Sequence, residues 1–165
     1  MAEEGVFAAL VFERTLPCPP ERVWKALTDP SELSQWYMTR AVVDGRKGGS
    51  IDFISGPSRL HVTGRITEWE PPHLFEHGWH VEPVEALPSG EDAVIRWELT
   101  RAGEGTFLRL EHRKLHSQTA FGFAPGMHAF LDRLDALLSG GEMPNWAERY
   151  REVADAYPRS RVSGR

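Results

Sequence analysis

The stretch PPERVWKALTDPSELSQWY, residues 19–37, predicts two short helices in immediate succession. The two prolines at its start end a preceding strand and suit the first turn of a helix, where a missing N–H breaks no hydrogen bond. Asp29 ends the first helix and caps the second, with Pro30 at its first position and Glu32 placed as in a capping box. Each helix has an apolar stripe that it cannot bury alone, so a later part of the chain must cover both.

The sequence on either side of this stretch has the period of β-strands. Residues 6–16 are rich in β-branched and aromatic residues and predict a first strand. Between residues 41 and 116 apolar and polar residues alternate, which is typical of antiparallel strands with one face on the core. Residues 103–105 predict a tight hairpin, residues 82–92 a flexible loop, and Gly64 a bulge or bend within its strand.

Two helices are predicted after these strands. Apolar residues at spacings of three and four follow Pro125 and predict a long amphipathic helix that begins at this proline. Gly140 and Gly141 end it, and Pro144 begins a further helix with an apolar stripe. The predicted organisation is a main domain over residues 1–141, an appended helix over 142–158 and a flexible basic tail over 159–165.

Composition excludes several classes of protein. A chain of 165 residues fits one domain, and its formal net charge of −5 provides no basic surface for nucleic acid. Cys18 is the only cysteine, so no intrachain disulfide forms. Neither a signal-peptide pattern nor an apolar run of membrane-spanning length occurs. We therefore expect a cytoplasmic protein that binds neither nucleic acid nor membranes.

The order of the elements predicts an α+β fold. The apolar face of the sheet and the apolar stripe of the long helix bury each other. A twisted sheet of about six or seven strands curls around such a helix, and the two short helices cover the open end. If the long helix does not fill the curl, a mostly apolar pocket remains, which is the usual form of a small-molecule site.

Four segments together are characteristic of a known family: PPERVWKALTDPSELSQW (19–36), GGSIDF (48–53), GRITEWEPPHLFEHGW (64–79) and HAFLDRLDALLSGG (128–141). In sequence and order they resemble the START-related, or SRPBCC, superfamily, and within it the branch named for activators of the heat-shock-protein-90 ATPase. The resemblance implies a helix-grip fold, in which a curved antiparallel sheet wraps around a long C-terminal helix, with two short helices after the first strand. The chain departs from the family at Gly126-Met127, where members often have Gly-Trp, and in its helix after Pro144.

Two histidines are predicted to face the interior of the curl. His77 lies between Phe75 and Trp79 on the inward side of its strand, and His112 lies on the inward side of the last strand. Because imidazole titrates near neutral pH, either could bind a ligand or act as an acid–base group. The alternative is a buried histidine whose ring is hydrogen-bonded by a neighbouring carbonyl or hydroxyl.

The predicted pocket wall combines residues of the short helices, the inner sheet face and the long helix. Its tryptophans have a second interpretation, as ordinary core packing. The predicted ligand-binding residues are Trp36, Phe75, His77, Trp79, Ile95, Trp97, Leu110, His112, Met127, Phe130, Leu131 and Leu134.

We predict neither a metal site nor a cofactor. His73, His77 and His80 are close in sequence, but strand geometry directs His77 and His80 to opposite faces. The chain contains no HExxH motif, P-loop or G-x-S-x-G elbow.

Three functions are compatible with this sequence. The favoured one is a binding protein for a small apolar, aromatic or lipid-like ligand. The second is a cyclase or dehydratase acting on a polyketide-like substrate, as in some relatives, with His77 and His112 as its acid–base pair. The third is a co-chaperone-like interaction module, which the branch name suggests, although fold does not determine function. The stripe after Pro144 also allows a homodimer.

Overall fold

A computed structural model describes residues 7–55, 59–85 and 87–157. Within these residues the chain forms seven strands and four helices. The strands are β1 (Phe7–Leu16), β2 (Met38–Val43), β3 (Ser50–Ser55), β4 (His61–Glu70), β5 (Leu74–Val81), β6 (Glu91–Ala102) and β7 (Gly105–His116). The helices are α1 (Pro20–Thr28), α2 (Pro30–Trp36), α3 (Ser117–Ser139) and α4 (Trp146–Ala154).

All seven strands join one antiparallel sheet in the order β1-β7-β6-β5-β4-β3-β2. The predicted alternation is confirmed: Ile95 and Trp97 of β6 and Leu110 of β7 are buried on the inner face. Leu131 and Leu134 of α3 are buried with them in the same core. The predicted α+β helix-grip architecture, a curved sheet around a long helix, is therefore confirmed.

The two short helices cover one end of the curl, as the opening stretch predicts. α1 contacts β6 and β7, whereas α2 contacts β2 and α3. The indole N–H of Trp36 in α2 donates to the carbonyl of Ala26 in α1 at 2.9 Å, which ties the two helices together.

The predicted capping box forms only in part. The Asp29 side chain accepts from the backbone N–H of Ser31 at 2.8 Å and so caps α2. The Glu32 carboxylate instead accepts from the Arg22 guanidinium at 2.9 Å. A charged donor across the kink forms a stronger hydrogen bond than a neutral backbone N–H does.

The predicted start of the long helix is wrong. α3 begins at Ser117, so Pro125 lies inside the helix rather than at its first position. A proline there leaves the carbonyl of Phe121 without its helical N–H partner. Ala120 and Ala124 are buried in this first part of α3, and their packing keeps the segment helical.

Gly64 is not the bulge that the sequence predicts. It pairs in regular register with Ile51 of β3, and the irregularity of β4 lies between Ile66 and Glu68. A Cβ atom at Gly64 would collide with the backbone carbonyl of Gly78 on β5. This glycine is therefore required by the close approach of two strands.

The appended helix α4 packs on the chain's own α3. The indole N–H of Trp146 donates to the Gly126 carbonyl at 3.1 Å, and its ring centroid lies 5.4 Å from that of Phe130. Arg149 of α4 forms an ion pair with Asp132 of α3 at 2.7 Å. Among the described helices, none combines the length and apolar character needed to cross a lipid bilayer.

Candidate functional site

A cavity of about 280 Å³ lies between the inner face of the sheet, the first half of α3 and α4. Its volume is near the lower end of the range of about 300–1,000 Å³ that is typical of small-molecule sites. Of the described residues that line it, none is aspartate, glutamate, lysine or arginine, and most are apolar or aromatic. They are Tyr37, Met38, Ser55, Leu60, Val62, Trp79, His112, Gly122, Phe123, Gly126, Met127, Phe130, Trp146 and Tyr150.

Two glycines on α3 line the cavity, and one of them lets α4 pack closely. Gly122 and Gly126 are four residues apart, so they lie on the same side of the helix. Gly122 is exposed, and a Cβ atom there would have no atom of the described residues within 4 Å. A Cβ atom at Gly126 would lie 3.3 Å from the Trp146 indole, so glycine there allows α4 to pack closely. Trp146 and Tyr150 of α4 complete the cavity wall beside these glycines.

The structure brings four of the predicted ligand-binding residues to the cavity: Trp79, His112, Met127 and Phe130. The others are buried but do not line it: Trp36, Phe75, His77, Ile95, Trp97, Leu110, Leu131 and Leu134. At their end of the curl, Trp36 stacks on Tyr37 with ring centroids 4.8 Å apart and meets Trp97 edge-on at 6.3 Å. These aromatic contacts fill the interior there.

His77 is buried outside the cavity and has a backbone partner. Its Nδ1 atom lies 2.6 Å from the carbonyl oxygen of Gly78, which matches the alternative interpretation of a histidine bonded by a neighbouring carbonyl. Burial lowers the pKa of His77 to about 4, so its ring is neutral at pH 7. In the sheet register both His77 and His112 pair with Ile95 of the intervening β6. They are thus near each other, but of the two only His112 lines the cavity.

His112 is in a different environment. It is 2% exposed, it lines the cavity, and neither of its ring nitrogens has a hydrogen-bond partner among the described residues. Its ring stacks on Phe123 with centroids 5.8 Å apart and planes 9° apart, and it contacts Trp79 edge-on at 4.8 Å. Burial lowers the pKa of His112 to about 3, and the nearby His77 adds to this shift.

Tyr37 and Trp79 contribute two further polar groups beside His112. Burial raises the pKa of the Tyr37 hydroxyl, which therefore stays protonated at neutral pH. The Trp79 indole N–H interacts with the Tyr37 side chain and partly opposes this rise in pKa. The distance and angles of a regular hydrogen bond are not met for this N–H with any described residue. His112, Trp79 and Tyr37 thus form the polar corner of an otherwise apolar cavity.

Sequence reasoning missed several lining residues. Trp146 and Tyr150 were predicted only as part of an apolar stripe on an appended helix, and that stripe is part of the cavity wall. Tyr37 directly follows the predicted Trp36. The spacing of Gly122 and Gly126 was an available signal, because two glycines one turn apart mark a helix face without side chains.

In the described part of the chain, no three histidine, cysteine, aspartate or glutamate side chains are placed to hold a metal ion.

A curved antiparallel sheet around one long helix, with an apolar cavity between them, defines a helix-grip protein of the SRPBCC superfamily. The chain belongs to the family described as activator of Hsp90 ATPase homolog 1-like protein, whose model matches residues 17–139. No curated protein matches the sequence.

Solved structures share the fold over most of the chain. CalU16 from Micromonospora echinospora is 24% identical, with a TM-score of 0.71 over 95% of this chain and 96% of that one. The protein encoded by gene BPP1335 of Bordetella parapertussis is 25% identical, with a TM-score of 0.71 over 90% and 84%. DynU16, a protein in the dynemicin biosynthetic locus, is 23% identical, with a TM-score of 0.66 over 81% of this chain and 48% of that one.

Proposed function

We propose that this protein binds a small, uncharged, apolar or aromatic molecule in its cavity. The observation that carries the proposal is a cavity of about 280 Å³ whose wall, among the described residues, has many aromatic side chains and no aspartate, glutamate, lysine or arginine. Transfer of apolar surface from water into such a space is favourable. Burial of an ion there is costly, because no opposite charge is present to pair with it. Membership of a helix-grip family supports the same proposal.

The enzyme alternative has weaker support. A cyclase or dehydratase needs an acid and a base that reach the same substrate. His112 lines the cavity, but His77 does not and is bonded to the Gly78 carbonyl. The interaction-module alternative rests on the branch name, and burial of the apolar stripe of α4 against another chain would support it. Residues of that stripe contact α3 of the same chain.

A Met→Trp substitution in the cavity wall tests the proposal. Met127→Trp places a larger ring in the cavity, at the position where family members often have tryptophan. We expect at least about a tenfold loss of affinity for the neutral fluorescent probe N-phenyl-1-naphthylamine, which is about 1.4 kcal/mol. Native mass spectrometry of the freshly purified protein checks in parallel for a retained natural ligand.

Met143→Trp is the matched control, because Met143 packs against the core without lining the cavity. Its affinity for the probe should stay within about twofold of the original. If Met127→Trp is folded and binds the probe as tightly as the original protein, the cavity is not the binding site and the proposal fails.

A further inference from the structure

We propose that the natural ligand is an aromatic molecule with a neutral hydroxyl group, and that His112 binds this hydroxyl. The inference rests on the proposed function, because it concerns the occupant of the same cavity. It starts from one observation: the His112 side chain lines the cavity, is 2% exposed and has no hydrogen-bond partner for either ring nitrogen among the described residues.

Two unpartnered nitrogens on one buried ring are unusual. Nearly all buried polar groups in proteins have a partner in the protein or in an ordered molecule. Here both nitrogens belong to a residue of the cavity wall, so an occupant of the cavity can supply that partner. The Trp79 ring contacts the His112 ring edge-on, with centroids 4.8 Å apart, and its indole N–H also has no hydrogen-bond partner of regular geometry among the described residues. The polar corner therefore has unused hydrogen-bonding capacity.

The chemistry of a neutral imidazole selects the group that it binds. Such a ring has one N–H donor and one nitrogen acceptor, and a hydroxyl can both accept and donate. A carboxylate can only accept, and an ammonium group can only donate. The burial that lowers the pKa of His112 to about 3 keeps the ring uncharged at neutral pH. A charged ligand would thus have no ionic partner on the cavity wall.

The rings around His112 favour a flat ligand. Phe123 covers one face of the imidazole at 5.8 Å in nearly parallel orientation. The ring nitrogens point outward in the plane of the imidazole, so a ligand reaches them at the ring edge. Tyr37, Phe130 and Trp146 provide further aromatic wall, and aromatic rings pack well edge-on or offset against each other. A cavity of about 280 Å³ is suited to one or two fused rings.

Three matched naphthalene probes test this inference by titration calorimetry at pH 7: 2-naphthol, naphthalene and 2-naphthoate. We expect 2-naphthol to bind at least about fivefold more tightly than naphthalene, the effect of one net hydrogen bond. We expect 2-naphthoate to bind more weakly than 2-naphthol. The imidazole ¹⁵N resonances of His112 should shift on addition of 2-naphthol and stay nearly unchanged with naphthalene.

Two substitutions locate the effect. His112→Phe keeps an aromatic ring against Phe123 but removes both nitrogens, so it should abolish the preference for 2-naphthol over naphthalene. His112→Gln retains a donor and an acceptor and should keep part of the preference. The comparison of the three probes on the unmodified protein decides the question even if neither variant folds.

The outcomes separate this inference from the function on which it rests. If naphthalene binds in the cavity as tightly as 2-naphthol, the ring nitrogens are satisfied by water, and only the inference is overturned. Tighter binding of 2-naphthoate also overturns it. If none of the three probes binds and Met127→Trp leaves N-phenyl-1-naphthylamine affinity unchanged, both the inference and the proposed function fail.

Discussion

The two buried histidines should make the stability of this protein fall in mild acid. Burial lowers the pKa of His77 to about 4 and that of His112 to about 3, below the value of about 6.5 in an unfolded chain. Below pH 6.5 the unfolded state therefore binds more protons than the folded state does. The stabilisation is complete above that pH and is lost as the pH falls toward the folded-state values.

We predict that each histidine contributes a slope of up to about 1 kcal/mol in the free energy of unfolding per pH unit between roughly pH 6.5 and pH 4. His112→Phe removes one of these groups, so its urea unfolding should depend less steeply on pH between pH 7.5 and 5. Met143→Trp changes no titratable group, so it is the control and should keep the original slope. An unchanged slope in His112→Phe would mean that His112 is already protonated or exposed when the protein is folded.

A pair of Gly→Ala substitutions tests the contact between two strands. Gly64→Ala would push a methyl group into the Gly78 carbonyl of the adjacent β5, and neither backbone can move without disturbing the sheet. We expect it to lower the free energy of unfolding by about 2 kcal/mol or more, as overpacking does. Gly122→Ala meets open space on α3 and should raise stability by up to about 1 kcal/mol. Equal stability of the two variants in denaturant unfolding would contradict this account.

At the scale of the elements, Arg133 of α3 connects three separate parts of the chain. Its guanidinium donates to the carbonyls of Trp36 and Gln35 at the end of α2, each at 3.1 Å. It also donates to the Pro144 carbonyl, just before α4. One side chain thereby positions both α2 and α4, the elements that contribute Tyr37 and Trp146 to the cavity wall.

We predict that Arg133→Met lowers the free energy of unfolding by about 2–3 kcal/mol, because three carbonyls lose a charged donor. It should also weaken probe binding, since α2 and α4 are no longer held against α3. Exposed Arg151→Met on α4 is the control and should change stability by less than about 0.5 kcal/mol. Urea unfolding and probe titration of both variants provide the measurement. A loss of stability without any loss of binding would show that Arg133 does not position the cavity wall.

At the scale of the whole molecule, α4 completes the cavity although it lies outside the predicted main domain. Deletion of residues 142–165 removes Trp146 and Tyr150 from the wall and exposes the face of α3 that they cover. We expect the shortened chain to lose at least about 2 kcal/mol of stability, from the apolar area that Trp146 no longer buries. Its affinity for N-phenyl-1-naphthylamine should fall at least about tenfold.

Deletion of residues 159–165 alone is the control for this truncation. This segment is the predicted basic tail, which lies outside the described residues, and its removal should leave both stability and binding unchanged. If the longer deletion binds the probe as well as the full chain does, α4 is an accessory to the fold and not part of the site.

Local patterns in the chain are sufficient to predict the architecture. The apolar stripes in residues 19–37, the alternation from residue 41 to 116 and the stripe after Pro125 are local periodic signals, and each predicts how its segment buries one face. The start of α3 could not be predicted from local periodic signals. It depends on Pro125 being tolerated inside a packed helix and on Glu91, from the start of β6, accepting from the His116 backbone N–H at 3.1 Å.

The position of the cavity within the curl depends on contacts between segments that are far apart in the sequence. Trp36 and Trp97 meet at one end and fill it, whereas the cavity lies at the other end, where Gly126 and Trp146 are part of its wall. The inward direction of His77 and His112 followed from strand alternation, but their separation into a bonded core residue and a cavity residue did not. Cavity volume is the difference between the space enclosed by the backbone and the side chains that enter it from distant segments. No local pattern in the sequence contains that difference.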